Sequence, residues 1–118
     1  MDAYQSLGTV AIDVKKQKID MLCCGNLKYL LGVPGLAFLY VDKNLAETLR
    51  PSNTGWFGQK NPFDFTPRQL TFAPGSRRFD TGTPPVAAAF ASRAGMEIIN
   101  QVGPAVIEEQ IRFLNQVA

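Results

Sequence analysis

The sequence predicts an α/β domain in which a few central strands are followed by a long loop and two C-terminal helices. Three observations predict it. Two short apolar runs, residues 21–24 (MLCC) and 36–41 (LAFLYV), are each bounded by turn residues, as strands are. Residues 51–83 hold many Pro, Gly and aromatic residues and show no period. From Pro84 onward, apolar residues recur at helical spacing.

Within residues 1–20, Val10, Ile12 and Val14 alternate with Ala11 and Asp13, the pattern of a short strand or of an extended approach to one. The run 21–24 ends at Gly25-Asn26, strand and then turn. The run 36–41 opens after Pro34-Gly35 and closes at Asp42; unbroken apolarity of this kind suits a central strand covered on both faces. Over 43–50 the spacing of Leu45 and Leu49 predicts a short helix stopped by Pro51. The irregular stretch 51–83 is longer than an ordinary connection. Its Trp56, Phe57, Phe63, Phe65, Phe72 and Phe79 mark it as a segment that packs against something, a second subunit included. Thr83 followed by Pro84-Pro85 is a helix start, because proline in the first turn loses no hydrogen bond. The buried stripe of that helix is predicted at Val86, Phe90, Ala94, Ile98 and Val102. Gly103-Pro104 ends it and opens another, with Ile107, Ile111 and Leu114 as its buried stripe.

A chain of 118 residues is one domain and long enough for a core. With 46% hydrophobic and 19% charged residues, it reads as globular rather than disordered. The charge of +2 is scattered, and the cluster Lys15, Lys16, Lys18 reads as a solvated turn, so no nucleic-acid partner is expected. Having no histidine, the chain can hold no Ser-His-Asp triad, no Cys-His pair and no histidine-based zinc site. The adjacent Cys23 and Cys24 form neither a metal-ligand set nor a disulfide framework; their surroundings predict buried thiols in a reducing compartment. No basic-then-apolar leader opens the chain, and no apolar run spans a bilayer. A cytoplasmic protein with no membrane partner is the expectation.

Between Met21 and Val41 the only charged residue is Lys28. A lysine buried in such a stretch, with no carboxylate nearby, has its pKa lowered and its amine made nucleophilic enough for Schiff-base chemistry. The plainer reading lays its stem on apolar surface with the head in water. Its companions in sequence sharpen the choice. Asp2 and Gln5 form an Asp-x-x-Gln pair in MDAYQSLG, and Lys28 follows them by 26 and 23 residues in GNLKYLLGVPG. The segment RRFDTGTPP then places Thr83 55 residues after Lys28.

This ordered set resembles the class-V aminotransferase and cysteine desulfurase-like family of fold-type-I pyridoxal 5′-phosphate (PLP) enzymes, which also includes selenocysteine lyases and kynureninase. In that family an Asp-x-x-Gln or Asp-x-x-His pair precedes the Schiff-base lysine at this separation, and a Gly-Thr-Pro-like segment follows it. The resemblance implies that Lys28 carries the internal aldimine and moves protons at the substrate alpha carbon. It implies that Asp2 holds the proton on the pyridine nitrogen and Gln5 hydrogen-bonds the phenolic oxygen. Thr83 matches a phosphate contact commonly supplied by the other subunit of a dimer; a plain helix N-cap is the alternative. Trp56, in TGWFG, stands where kynureninase-like members place a tryptophan near the phosphate; an interface anchor suits it equally. For Arg77 and Arg78, ion pairing within the fold is the simpler reading.

Two departures bear on desulfurase activity. Leu27 stands where such members often have histidine, and Gly25 where many have a hydroxyl. Cys23 and Cys24 read as strand cysteines, since the desulfurase nucleophile comes from a later loop. Family members are also much longer, so the sequence reads as the latter half of the large, PLP-binding domain. The expectation is a PLP enzyme acting on an amino-acid substrate, by transamination or by desulfurase-like lyase chemistry, and working as a homodimer. As an isolated chain it should bind PLP weakly and not turn over. A truncated or degenerate module that keeps the fold for packing is the alternative, and a small unrelated α/β domain is a third possibility.

Overall fold

The computed structural model describes residues 1–118. Two strands, β1 (Met21–Gly25) and β2 (Ala37–Val41), pair antiparallel with Leu22 opposite Tyr40 and Cys24 opposite Phe38. Residues 1–3 lie parallel along the other side of β1. The Ala3 amide donates to the Cys23 carbonyl (2.9 Å), and the Cys23 amide to the Met1 carbonyl (3.0 Å). Helix α1 (Lys43–Thr48) follows β2 directly, its first turn capped by the Asp42 carboxylate, which accepts from the Asn44 and Leu45 amides. Two 3-10 turns, Trp56–Gly58 and Gly75–Phe79, interrupt the irregular segment. Helices α2 (Val86–Val102) and α3 (Pro104–Val117) complete the chain, with Gly103 between them at φ +93, a left-handed conformation that favours glycine.

Strand alternation sorts the side chains. Leu22 and Cys24 point to one face and form the main core with Ala3 and Leu30, against which Leu7, Ile12, Val14, Ile19, Tyr40 and Met96 pack. Cys23 points to the opposite face and is exposed, so only one of the two cysteines is the buried thiol expected. Ile12 and Val14 do face inward while Ala11 and Asp13 face out, but no strand forms there. The Asp13 carboxylate instead accepts from the Lys15 and Lys16 amides and turns the chain.

Three further expectations change. Strand β2 is not covered on both faces: Ala37, Phe38 and Leu39 are exposed, because Leu39 and its neighbours open onto a cleft rather than onto packed side chains. Helix α2 begins at Val86 and not at Pro84, and Thr83 does not cap it. Each proline forces the residue before it out of helical geometry, so consecutive prolines delay the start.

The largest correction concerns α2. Its predicted stripe, Val86, Phe90, Ala94, Ile98 and Val102, is exposed, Phe90 at 68%. The residues that pack are Ser92 and Gly95, both buried, with Ala88, Met96 and Ile99 half-buried beside them. On α3, Ile107 and Ile111 are half-buried and Leu114 is exposed. The radius of gyration, 17.0 Å, exceeds the roughly 13–14 Å of a compact domain of this length, in keeping with so much apolar surface facing outward. No helix is long and apolar enough to cross a membrane.

Candidate functional site

The turn after β1 carries Lys28, and its backbone is closed twice. The Asn26 amide donates to the Leu36 carbonyl (3.1 Å), extending the ladder, and the Gly32 amide returns to the Asn26 carbonyl (2.7 Å). Inside that closure the Leu31 amide donates to the Lys28 carbonyl (3.0 Å), and Leu31 takes φ +57, which is strained for a branched residue. Leu30 is buried in the core and anchors the turn from within. Lys28 itself is exposed, as are Leu27 and Tyr29 on either side. The low-dielectric setting expected from the apolar run is therefore not present around the amine in this chain.

The Lys28 Nζ lies over the Tyr4 ring, 5.1 Å from its centroid, where the negative face of the ring attracts a cation. The same tyrosine packs against the end of β1: a Cβ at Gly25 would fall 2.0 Å from its ring, so only glycine admits this approach. The Tyr4 backbone amide donates to Asp2 Oδ1 (2.9 Å), fixing the carboxylate, and Gln5 follows Tyr4 in the same tight turn with its side chain exposed. Tyr4 thus links Asp2, Gln5 and Lys28. The four ion pairs of the chain are Lys15–Asp42, Arg78–Glu47, Arg93–Glu97 and Arg112–Glu108, so neither Lys28 nor Asp2 is neutralised by an internal partner. Tyr4 was not singled out from the sequence. The available signal was its place inside the Asp-x-x-Gln pair.

Trp56 and Thr83 lie elsewhere. Trp56 belongs to an aromatic cluster with Phe57 (centroids 4.5 Å apart), Phe63 (5.8 Å) and Phe65 (6.2 Å, stacked), of which Phe63 and Phe65 are largely exposed. Thr83 lines a half-open cleft of about 900 Å³ between β1–β2 and residues 76–85, together with Cys23, Ser76, Arg77 and Thr81. Neither this cleft nor a second one, lined by Trp56, Gln59, Phe65 and Thr71, includes Asp2, Gln5 or Lys28. The two segments do touch: a Cβ at Gly55 would fall 1.3 Å from the Thr81 carbonyl oxygen, so the residue before the Trp56 turn lies directly against the backbone two residues before Thr83.

Arg77 and Arg78 hold this region in place. Arg77 donates to the Gln59 and Lys60 carbonyls (3.0 and 2.9 Å). Arg78 is buried, donates to the Glu47 and Leu49 carbonyls at the end of α1 (3.0 Å each) and pairs with the Glu47 carboxylate. Burial pushes the Cys24 thiol up, with the Asp2 charge adding to the effect; its Sγ lies 3.2 Å from the Gly25 carbonyl oxygen and 3.5 Å from that of Ala3, the place of an inert core thiol.

This α/β arrangement is similar over 98% of the chain to the apo structure of a cysteine desulfurase from Thermococcus onnurineus, with a TM-score of 0.82 and 29% identity, and it covers 28% of that chain. The family model described as Aminotransferase class-V matches residues 1–118, and the protein belongs to that family. Among curated relatives, the uncharacterized aminotransferase YcbU of Bacillus subtilis is 44% identical over 97% of this chain, and a probable cysteine desulfurase of Pyrococcus abyssi is 34% identical over 97%. The chain spans 30% and 28% of the lengths of these two relatives.

Proposed function

We propose that the protein is part of a PLP-dependent enzyme acting on an amino-acid substrate, with Lys28 as the lysine that carries the cofactor. The observation that carries this reading is the cluster around Tyr4. The Lys28 amine lies over the Tyr4 ring, the Asp2 carboxylate accepts from the Tyr4 amide, the exposed Gln5 follows Tyr4 in the turn, and neither Lys28 nor Asp2 has an ionic partner. That set suits the aldehyde, the pyridine nitrogen and the phenolic oxygen of PLP respectively, so the residues present fit the group. When bound, the cofactor supplies an electron sink for charge that develops at the substrate alpha carbon.

In this reading each residue has one task. Lys28 would hold the cofactor through its amine and would take or return the proton at the substrate alpha carbon. The Asp2 carboxylate, held by the Tyr4 amide, would keep the proton on the ring nitrogen, and Gln5 would hydrogen-bond the ring oxygen. Thr83 lies outside the Tyr4 cluster, which suits a phosphate contact made to the neighbouring site of a homodimer; Trp56, packed beside the same segment, would stand near that phosphate. Residues 1–118 would then form the latter part of the PLP-binding large domain. Similarity to an aminotransferase and to a cysteine desulfurase supports transamination or desulfurase-like lyase chemistry.

Incubation with PLP followed by borohydride should leave a pyridoxyl group on Lys28, located by mass mapping, and Lys28→Ala should lose it. Reduction traps the adduct irreversibly, so even weak binding accumulates label. Label distributed among Lys15, Lys16, Lys18, Lys43 and Lys60 with no preference for Lys28 would overturn the reading.

A further inference from the structure

The turn that carries Lys28 rests on α2 through contacts that are polar and unpaired. Asn26 (2% exposed) and Ser92 (0% exposed) are the largest fully buried side chains in the chain. Asn26 Oδ1 and Ser92 Oγ have no hydrogen-bond partner. Both lie against Gly32: a Cβ there would fall 2.5 Å from Ser92 Oγ and 2.9 Å from Asn26 Cβ. Along the same helix, a Cβ at Gly95 would fall 2.5 Å from the Leu31 carbonyl oxygen and 2.6 Å from that of Leu30. The backbone of the turn therefore lies directly on α2.

Buried polar atoms without partners cost stability, and apolar side chains of the same size would avoid that cost. The strained φ of Leu31 adds to it in the same turn. Unfavourable terms gathered beside one reactive side chain point to function rather than to folding. Asn26 is also the closure point of the turn, because its backbone both donates to Leu36 and accepts from Gly32.

We propose that Asn26 and Ser92 are positioning residues for Lys28, packing against Gly32 where the lysine turn rests on α2 and so fixing where the amine stands. The proposal rests on the reading of Lys28 as the cofactor lysine. A 17-residue helix is a rigid support, whereas the turn alone is held by a few backbone hydrogen bonds.

The test is Ser92→Ala, which removes one hydroxyl and little volume. If the contact of the hydroxyl with Gly32 had no positioning role, its loss would leave Lys28 unaffected and stability equal or higher. Under the proposal stability is still equal or higher, but borohydride trapping of PLP at Lys28 slows about tenfold relative to Lys15, Lys43 and Lys60 in the same sample. Amide exchange at Leu31 and Gly32 quickens as well. Asn26→Leu should act alike and add nothing to Ser92→Ala in the double variant. Unchanged trapping and unchanged exchange in both variants overturn the proposal, as does slowing that affects all lysines equally or follows a loss of stability. A wild-type chain with no preference for Lys28 refutes the cofactor reading separately; exchange at Gly32 then decides whether the anchoring is real.

Discussion

The two faces of α2 carry opposite kinds of residue and meet opposite environments. Val86, Phe90, Ile98 and Val102 form a large apolar face that is more than half exposed, while the face built on Ser92 and Gly95 is buried. Hydrophobicity alone assigns the first face to the core. What approaches α2, however, is the backbone of the Lys28 turn, and a backbone can pack on a helix only where the side chains are small. Shape decided the packing, and the apolar residues were left outward.

Substitutions on the two faces should therefore differ sharply. Gly95→Leu drives a side chain into the Leu30 and Leu31 carbonyls and should destabilise by about 3 kcal/mol, at the upper end for overpacking, or prevent folding. Phe90→Ser on the open face should change stability by no more than about 0.5 kcal/mol despite removing an aromatic ring. Urea denaturation followed by circular dichroism measures both. Equal costs on the two faces would mean that the Phe90 face packs as tightly as the Gly95 face.

This contrast shows what the sequence made legible. Both strands, the three helices and the loop were found at the expected places, because period, Pro and Gly act locally. The spacing of Asp2, Gln5 and Lys28 marked out positions of which Lys28 lies over the Tyr4 ring and Asp2 accepts from the Tyr4 amide. Local pattern could not say which face of α2 would be covered, since that depends on a turn some sixty residues earlier. Nor could it show that Val10, Ile12 and Val14 lack a partner strand, or that alternation would turn Cys23 outward while Cys24 stays buried. The exposure of Lys28 agrees with the plainer of its two readings, stem on apolar surface and head in water. An apolar neighbourhood in sequence buries a lysine only if something covers it in space.

A smaller effect separates the Lys28 turn from the loop that bears Trp56 and Thr83. The turn is held by packing on α2, and the loop by a guanidinium. Arg78→Met keeps much of the volume but leaves the Glu47 and Leu49 carbonyls without their donor and Glu47 without its partner. Because the Glu47 side chain is 49% exposed, its share is discounted, and the expected loss is about 2 kcal/mol. The loss should be local. Proteolysis within 56–73 should quicken, while exchange at Gly32 stays as it was; parallel loosening of both regions would show that they do not unfold independently.

The smallest effect expected is that of a single half-buried carboxylate. Glu108 of α3 accepts from the Ala11 amide (2.8 Å) across 97 residues of sequence and from Arg112 on its own helix. The Ala11 amide first, and then Arg112, hold its carboxyl below the ordinary value of 4.5. A folded value below the unfolded one means that the unfolded chain binds the proton more readily. The stabilisation is thus fully present above about pH 4.5 and is lost as pH falls through the lower folded value. Glu108→Gln can still accept from Ala11 but gains nothing from ionisation. Its melting temperature should be slightly lower than wild type at neutral pH and should converge with it in acid, with salt narrowing the difference. Exchange at the Ala11 amide should show the same convergence. If the two proteins instead share one acid slope, the sensitivity belongs to Asp42 and Asp13. The Lys15 ammonium lowers the first, and the Lys16 and Lys15 amides lower the second. Acid would then loosen the chain at the β1–β2 end rather than where α3 meets the N-terminal segment.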